Sequence, residues 1–188
     1  GVGLYRTEYL FLERKTMPDV QEQQKEYEKV FDLLDGKELI VRTLDIGGDK
    51  RVPYLTQEQE DNPFLGVRGI RFTLKHPEIL EAQMEAMLLA AKGRPFSIML
   101  PMVDTVQEVE QARAIWDKVC KKVSENGVAV NPDIRIGITI ETPAAAICVD
   151  TFIGKADFVS IGSNDLAQYV MAADRESVEL DHLLSPWQ

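Results

Sequence analysis

The chain has 188 residues, enough for one domain with a sizeable core, and its 45% hydrophobic and 28% charged content is ordinary for a globular protein. Its net charge of −10 argues against general nucleic-acid binding, although local arginines still allow an anionic substrate. No apolar run approaches the roughly 20 residues of a membrane span, and nothing resembles a signal peptide. Because Cys120 and Cys148 show no CxxC spacing, we expect reduced thiols in a cytoplasmic protein.

Strand and helix patterns alternate along the whole chain. The predicted strands cover residues 1–8, 39–45, 97–103, 135–141 and 158–162. The predicted helices cover residues 18–34, 77–91, 105–123 and a short stretch from 142 to 146. Thr105 and Glu108 have the spacing of a capping box at the start of the third helix. A long polar loop separates residues 46 and 62, and a loop of that length is uncommon unless it is functional.

Five β/α units fit either an open doubly wound sheet or part of a closed barrel of about 250 residues. The residues of the fourth strand favour the barrel. Gly137, Thr139 and Glu141 share one face, and such small or polar residues suit the inside of a barrel wall near its site. Three isoleucines share the other face, which would pack against the helices. We expect an α/β fold of the (β/α)8 TIM-barrel type, incomplete here, with residues 1–188 forming one domain truncated at both ends. Two unpaired sheet edges would then favour pairing with a second copy of the chain.

Charged residues stand where the predicted strands end. Arg6 and Arg42 close the first two strands, and Glu141 and Asp165 follow the last two. The carboxyl ends of all the strands in a parallel fold open onto one face, so these side chains should meet around one pocket. Carboxylates hold a hard cation such as Mg²⁺, and arginines hold phosphate or carboxylate groups. The pattern therefore predicts a metal-dependent enzyme that acts on a phosphorylated acid.

Simpler interpretations of the same residues stay open at this point. Glu141 would cap the next helix, and Asp165 would form a turn. Arg68 and Arg71, three residues apart, would share a face if their segment is helical. The glycine pair that precedes Lys50 would let the backbone approach a phosphate, or would form a plain turn.

The histidines and cysteines give weaker signals. His76 precedes a proline and is expected at a helix start, and His182 lies in a polar tail. Neither has a Ser or Cys partner nearby, so a catalytic triad has little support. We expect Cys120 and Cys148 to be core thiols rather than nucleophiles.

Five stretches together resemble a known family. They are GVGLYRTE at 1–8, RTLDIGGDK at 42–50, NPFLGVRGIR at 62–71, IETPAAA at 140–146 and SIGSNDL at 160–166. In this order they resemble the phosphoenolpyruvate-utilising enzymes, most closely the phosphoenolpyruvate–protein phosphotransferases, the enzyme I family of the bacterial phosphotransferase system. The loop that ends at Lys50 and the Ala-Asp-Arg stretch at 173–175 favour that branch over pyruvate phosphate dikinase and phosphoenolpyruvate synthase.

The resemblance implies a (β/α)8 domain that binds phosphoenolpyruvate. Glu141 and Asp165 match the family's Mg²⁺ ligands, and we expect Mg²⁺ or Mn²⁺ to bind through them. Asn164 matches an asparagine that helps to hold the substrate. The matching basic positions are Arg6, Arg42 and Arg175 for the phosphate, Arg68 as a further active-site arginine, and Lys50 nearby.

The resemblance also implies that both catalytic groups lie outside these residues. A phosphoacceptor histidine would belong to a separate N-terminal domain, and the acid cysteine to a Gly-Met-Cys-Gly-like motif after residue 188. The implied partners are phosphoenolpyruvate and pyruvate, the carrier protein HPr on the route to sugar uptake, and a second copy of the parent. Three alternatives remain: a dikinase or synthase fragment, a Mg²⁺-dependent C–C lyase, and a non-catalytic binding or dimerisation module.

Overall fold

The computed structural model describes residues 1–12, 14–47, 52, 54 and 60–185, and a parallel sheet is its central element. Five strands lie in the order β1-β2-β3-β4-β5. They are β1 (Val2–Arg6), β2 (Leu39–Arg42), β3 (Ser97–Leu100), β4 (Arg135–Ile140) and β5 (Val159–Ile161). Each strand lies within its predicted range and is up to three residues shorter at either end.

Helices connect the strands. They are α1 (Tyr9–Leu12), α2 (Val20–Leu34), α3 (Ile70–Lys75), α4 (Pro77–Ala91), α5 (Val106–Glu125), α6 (Pro143–Ile147) and α7 (Ser163–Met171), with 3₁₀ turns at Pro63–Leu65, Val149–Phe152 and Val178–Leu183. The four predicted helices are confirmed as α2, α4, α5 and α6. The pattern missed α1, α3 and α7, which are short.

The sequential strand order decides between the two predicted architectures. Each strand pairs in parallel with its neighbours in sequence. A doubly wound sheet instead reverses its strand order at a switch point. The sheet is therefore a curled half-barrel, and the prediction of an incomplete TIM-barrel type is confirmed.

Capping boxes stand at the starts of the long helices α2 and α5. Asp19 accepts a hydrogen bond from the Glu22 N–H at 2.8 Å, and the Glu22 carboxylate accepts from the Asp19 N–H at 3.0 Å. This reciprocal pair is a capping box that begins α2. The predicted box before α5 is also present, and the Glu108 carboxylate accepts from the Thr105 N–H at 2.8 Å.

The apolar core lies between the sheet and the helices α2, α4 and α5. Val109, Trp116 and Val119 of α5 are buried in this core. Burial of large apolar side chains of this kind contributes roughly 1.5–3 kcal/mol each. Cys120 is half-buried on α5, and its burial raises the pKa of the thiol to about 11. Cys148 is exposed at the end of α6, so its prediction as a core thiol is wrong.

A buried polar network fixes the ends of the first two strands. The Gln83 amide of α4 donates to the Thr7 hydroxyl at 3.0 Å and to the Tyr27 hydroxyl at 3.2 Å. Its oxygen accepts from the Leu44 N–H at 2.8 Å, and the Thr7 hydroxyl donates to the Arg42 carbonyl at 3.0 Å. An unsatisfied group at any of these positions costs about 1–3 kcal/mol, so the network holds this edge of the sheet firmly.

His76 lies at the start of α4, as predicted, and its ring contacts the Phe72 ring with centroids 4.7 Å apart. Among the residues that the structure describes, no helix is both long enough and apolar enough to cross a membrane.

Candidate functional site at the carboxyl edge of the sheet

Six charged side chains form an alternating chain of ion pairs at the carboxyl ends of the strands. In order they are Glu8, Arg42, Asp45, Arg68, Asp165 and Arg175, with nitrogen–oxygen distances of 2.8, 3.2, 3.2, 2.8 and 3.1 Å between successive members. All are buried except Arg175, which is partly exposed. Because each buried charge has an opposite charge beside it, the chain keeps several charges desolvated together.

Arg42 closes β2 and is 6% exposed. Its Nη2 atom lies 2.8 Å from Glu8 Oε1 and 3.2 Å from Asp45 Oδ2. Burial opposes the charge on the guanidinium, but the carboxylates of Asp45 and Glu8 outweigh burial and raise the pKa of Arg42. Its Nε atom is buried and has no hydrogen-bond partner within the described part of the chain.

Two glycines let Arg68 enter the site. Gly69 has φ +56°, and a Cβ there would lie 2.8 Å from Met102 Cβ. Gly47 has φ +116°, and a Cβ there would lie 2.5 Å from Arg68 Cβ. Positive φ and such close approaches favour glycine. The segments on both sides therefore pack tightly around the Arg68 backbone.

Arg68 joins the end of β2 to the first turn of α7. Its Nη2 lies 3.2 Å from Asp45 Oδ2, and its Nη1 lies 2.8 Å from Asp165 Oδ1. Burial opposes its charge, but Asp45 and Asp165 outweigh burial and raise the pKa of Arg68. Because α3 begins only at Ile70, Arg68 lies before the helix. Arg71 pairs instead with Asp104 at 2.5 Å, so a helix face shared by the two arginines is not present.

Glu141 follows β4 and is 2% exposed. Burial raises the pKa of its carboxyl to about 7, with a smaller contribution from the charges of Asp45 and Asp165. A hydrogen bond of 2.6 Å from the Met102 N–H opposes that shift. Thr142, rather than Glu141, caps α6 by accepting from the third N–H of that helix, so the simpler interpretation of Glu141 as a cap is wrong.

Gly162 brings Glu141 close to the last strand and α7. A Cβ on Gly162 would lie 2.5 Å from Glu141 Oε2 and 2.9 Å from Thr139 Cγ2. The Thr139 hydroxyl is buried and has no hydrogen-bond partner among the residues that the structure describes. Asp165 lies in the first turn of α7, three residues after Gly162, so its interpretation as a simple turn is also wrong.

The carboxylate oxygens of Glu141 and Asp165 are ligands of the kind that a hard cation prefers. Mg²⁺ typically takes one or two protein carboxylates and fills its other positions with water or substrate oxygens. Both Asp165 oxygens already accept from arginines, but each carboxylate oxygen has a further lone pair. Within the described ranges, no three His, Cys, Asp or Glu side chains form a metal cluster. Of the carboxylates that the structure describes, Glu141 and Asp165 could hold a cation here, with water or substrate oxygens in its other positions.

The remaining predicted residues lie around this chain of charges. Arg6 pairs in register with Arg42, but its own side chain is exposed and forms no ion pair with another described residue. Arg175 reaches Asp165 Oδ2 at 3.1 Å. Asn164 is exposed in the first turn of α7. Lys50 lies outside the described residues.

Glu8, Asp45 and Tyr169 belong to the site but were not singled out from the sequence. Asp45 follows the strand-end Arg42 by three residues, which is a signal that a search for acids near strand-end arginines would find. Tyr169 follows Asp165 by four residues, which places both on one helix face once α7 is recognised. The Met102 N–H that donates to Glu141 is a backbone group, so no residue type in the sequence indicates it.

The chain matches a known protein family along its whole length. A family model described as "PEP-utilising enzyme, PEP-binding domain" matches residues 1–188. The chain is 46% identical over 187 residues to a Staphylococcus epidermidis protein and 45% identical over 187 residues to a Bacillus subtilis protein, both named phosphoenolpyruvate-protein phosphotransferase. Each match covers 100% of the chain and 33% of the relative, so the chain spans about a third of the length of the curated relatives it matches. The chain therefore belongs to the phosphoenolpyruvate-utilising enzymes, as its five motifs predicted.

Proposed function

We propose that this chain is the phosphoenolpyruvate- and Mg²⁺-binding part of a phosphoenolpyruvate–protein phosphotransferase. The parent enzyme would phosphorylate itself on a histidine of another domain and pass the phosphoryl group to HPr for sugar uptake. The observation that carries the proposal is the buried chain of arginines and carboxylates at the carboxyl edge of the sheet, in a chain that matches a PEP-binding domain. The names of the relatives favour this branch over a dikinase or synthase.

The arginines supply what a phosphoryl group needs. Phosphoryl transfer has a loose transition state, so catalysis consists mainly of positioning and charge stabilisation. Arg42 and Arg68 remain charged although they are buried, because Asp45 lies between them. A bound phosphate would compete with Asp45 and Asp165 for the same guanidinium groups. Arg6 and Arg175, which are more exposed, would receive the phosphate at the entrance.

Glu141 and Asp165 would hold the metal ion. Bound Mg²⁺ would supply a Lewis acid that stabilises negative charge on the phosphate and on the enolate of pyruvate. Mn²⁺ suits the same oxygen donors. The unpartnered Thr139 hydroxyl and the exposed Asn164 amide leave further polar groups free near this position for substrate oxygens.

We expect the phosphoacceptor histidine and the acid cysteine to lie outside these 188 residues. His76 is at the junction of α3 and α4, where it contacts Phe72, and Cys148 is at the end of α6. Neither belongs to the chain of charges. The chain alone should therefore bind substrate without turnover. Homodimerisation and a cytoplasmic location of the parent stay predictions.

Calorimetric titration of phosphoenolpyruvate with and without Mg²⁺ tests the proposal. The unmodified chain should bind more tightly with Mg²⁺. Glu141→Gln combined with Asp165→Asn should lose that metal dependence. Asp104→Asn is a matched control, because Asp104 pairs with Arg71 outside the chain of charges. An unchanged Mg²⁺ dependence in the double variant would remove the metal assignment, and no phosphoenolpyruvate binding by the unmodified protein would remove the proposed function.

A further inference from the structure

The segment from residue 60 to 66 meets α7 at Phe64 and Tyr169, beside the arginines of the site. The Tyr169 hydroxyl donates a hydrogen bond to the Phe64 carbonyl. The same oxygen accepts from Arg68 Nη1 at 3.3 Å. A hydroxyl can donate and accept at once, whereas a phenylalanine ring at this position could do neither. The Tyr169 hydroxyl therefore links the backbone of this segment to the Arg68 guanidinium group.

The Phe64 ring contacts two arginines that share one carboxylate. The Arg68 Cζ atom lies 6.0 Å from the ring centroid, and the Arg175 Cζ atom lies 5.3 Å from it. Guanidinium groups at these distances are attracted by the ring face. The same two arginines approach Asp165 from its two oxygens, at 2.8 and 3.1 Å. One ring thus limits the positions of both guanidinium groups.

Open clefts lie beside this contact. Cavities of about 280 and 460 Å³ flank it, and Phe64, Leu65 and Tyr169 line both. At the far end of the segment, the Glu60 carboxylate accepts from the Val67 N–H at 2.9 Å, which closes the segment on itself rather than onto α7. Among the described residues, the hydrogen bond from Tyr169 to Phe64 therefore attaches this segment to α7.

We propose that Tyr169 and Phe64 are positioning residues that hold Arg68 and Arg175 in the direction required to bind the phosphate of phosphoenolpyruvate. The inference rests on the proposed function, because it assigns these arginines to the substrate phosphate. It adds a second layer to the site: an aromatic pair that acts through the arginines without carrying charge.

The test uses Tyr169→Phe and Phe64→Leu in the full-length protein that contains this chain. Calorimetry with Mg²⁺ gives the Kd of phosphoenolpyruvate, and steady-state kinetics gives KM and kcat. We expect each variant to raise Kd and KM about tenfold, with kcat changing by less than about threefold, because a hydrogen bond to a charged group is lost or loosened. Tyr54→Phe is the matched control, since its hydroxyl also donates to a backbone carbonyl, that of Phe11 at 2.8 Å. The control should stay within about twofold.

A double-mutant cycle separates positioning from a general effect on folding. If Tyr169 acts through Arg68, then adding Tyr169→Phe to Arg68→Lys should change Kd by less than about twofold. A tenfold loss in both backgrounds, or wild-type affinity in both Tyr169→Phe and Phe64→Leu, would overturn the inference while leaving the proposed function intact. An unmodified protein that does not bind phosphoenolpyruvate would overturn both. If Tyr169→Phe does not fold, Phe64→Leu and its own cycle with Arg68→Lys decide the question.

Discussion

The buried carboxyl of Glu141 should make the metal-free protein less stable as pH rises. Burial raises its pKa from the usual 4.5 to about 7 in the folded chain. The folded state then binds the proton of Glu141 more tightly than the unfolded state does. The contribution of protonated Glu141 to the free energy of unfolding is therefore fully present below pH 4.5 and is lost as pH rises through 7. Each unit of pKa corresponds to about 1.4 kcal/mol, so ionised Glu141 costs about 3 kcal/mol of folding free energy.

Glu141→Gln removes this cost and keeps the hydrogen bond. The amide oxygen can still accept from the Met102 N–H, which Glu141 Oε1 does at 2.6 Å. Without metal, the variant should match the wild type near pH 4.5 and exceed its free energy of unfolding by about 3 kcal/mol above pH 7. Millimolar Mg²⁺ should stabilise the wild type above pH 7 and leave the variant nearly unchanged, because a ligand stabilises only the state that it binds.

Urea unfolding followed by tryptophan fluorescence measures both effects, since Trp116 is buried in α5. The other carboxylates titrate in both proteins, so the difference between the two pH profiles isolates Glu141. Parallel profiles from pH 4.5 to above 7 would refute the argument from burial. Equal stabilisation of both proteins by Mg²⁺ would refute the assignment of Glu141 as a ligand.

Two further substitutions test the arginines and the close packing. Arg42→Lys should weaken phosphoenolpyruvate binding at least about tenfold by calorimetry, because Nη2 alone already contacts both Glu8 and Asp45 and lysine lacks the further donors of the planar guanidinium that a phosphate would bind. Wild-type affinity would exclude Arg42 from the phosphate site. Gly162→Ala should destabilise the chain by about 1–3 kcal/mol and reduce the effect of Mg²⁺, because its Cβ would lie 2.5 Å from Glu141 Oε2. Gly3→Ala, where no atom lies within 4 Å of the added Cβ, should stay near the wild type in the same urea titration, and equal losses in both variants would contradict the packing argument.

Local patterns in the sequence were sufficient for much of the fold. The periodicity of α2, α4 and α5, the capping box at Thr105 and Glu108, and the positions of the five strands follow from residues close to one another in the chain. The sequential order of the strands in the sheet was decided by the tertiary structure. Hydrogen bonds and side-chain contacts within a helix or along a strand span few residues, so a short window contains the information. The helices α1 and α3, with four and six residues, and α7, with nine, were missed, because they contain too few turns to establish a period. The five-residue helix α6 was predicted from its Thr-Pro start and its alanines rather than from a period.

The partners of the charged residues were decided only by the tertiary structure. Residues at strand ends were predicted to meet, but no local pattern shows that Arg68 reaches Asp165, which is 97 residues away. The direction of Arg68 depends on the positive φ of Gly69 and on the start of α3 after it, which separates Arg68 from Arg71. The raised pKa of Glu141 likewise depends on burial by other segments. Long-range pairing and desolvation arise when distant segments pack together, so the residue types were readable from the sequence while their electrostatic environment required the fold.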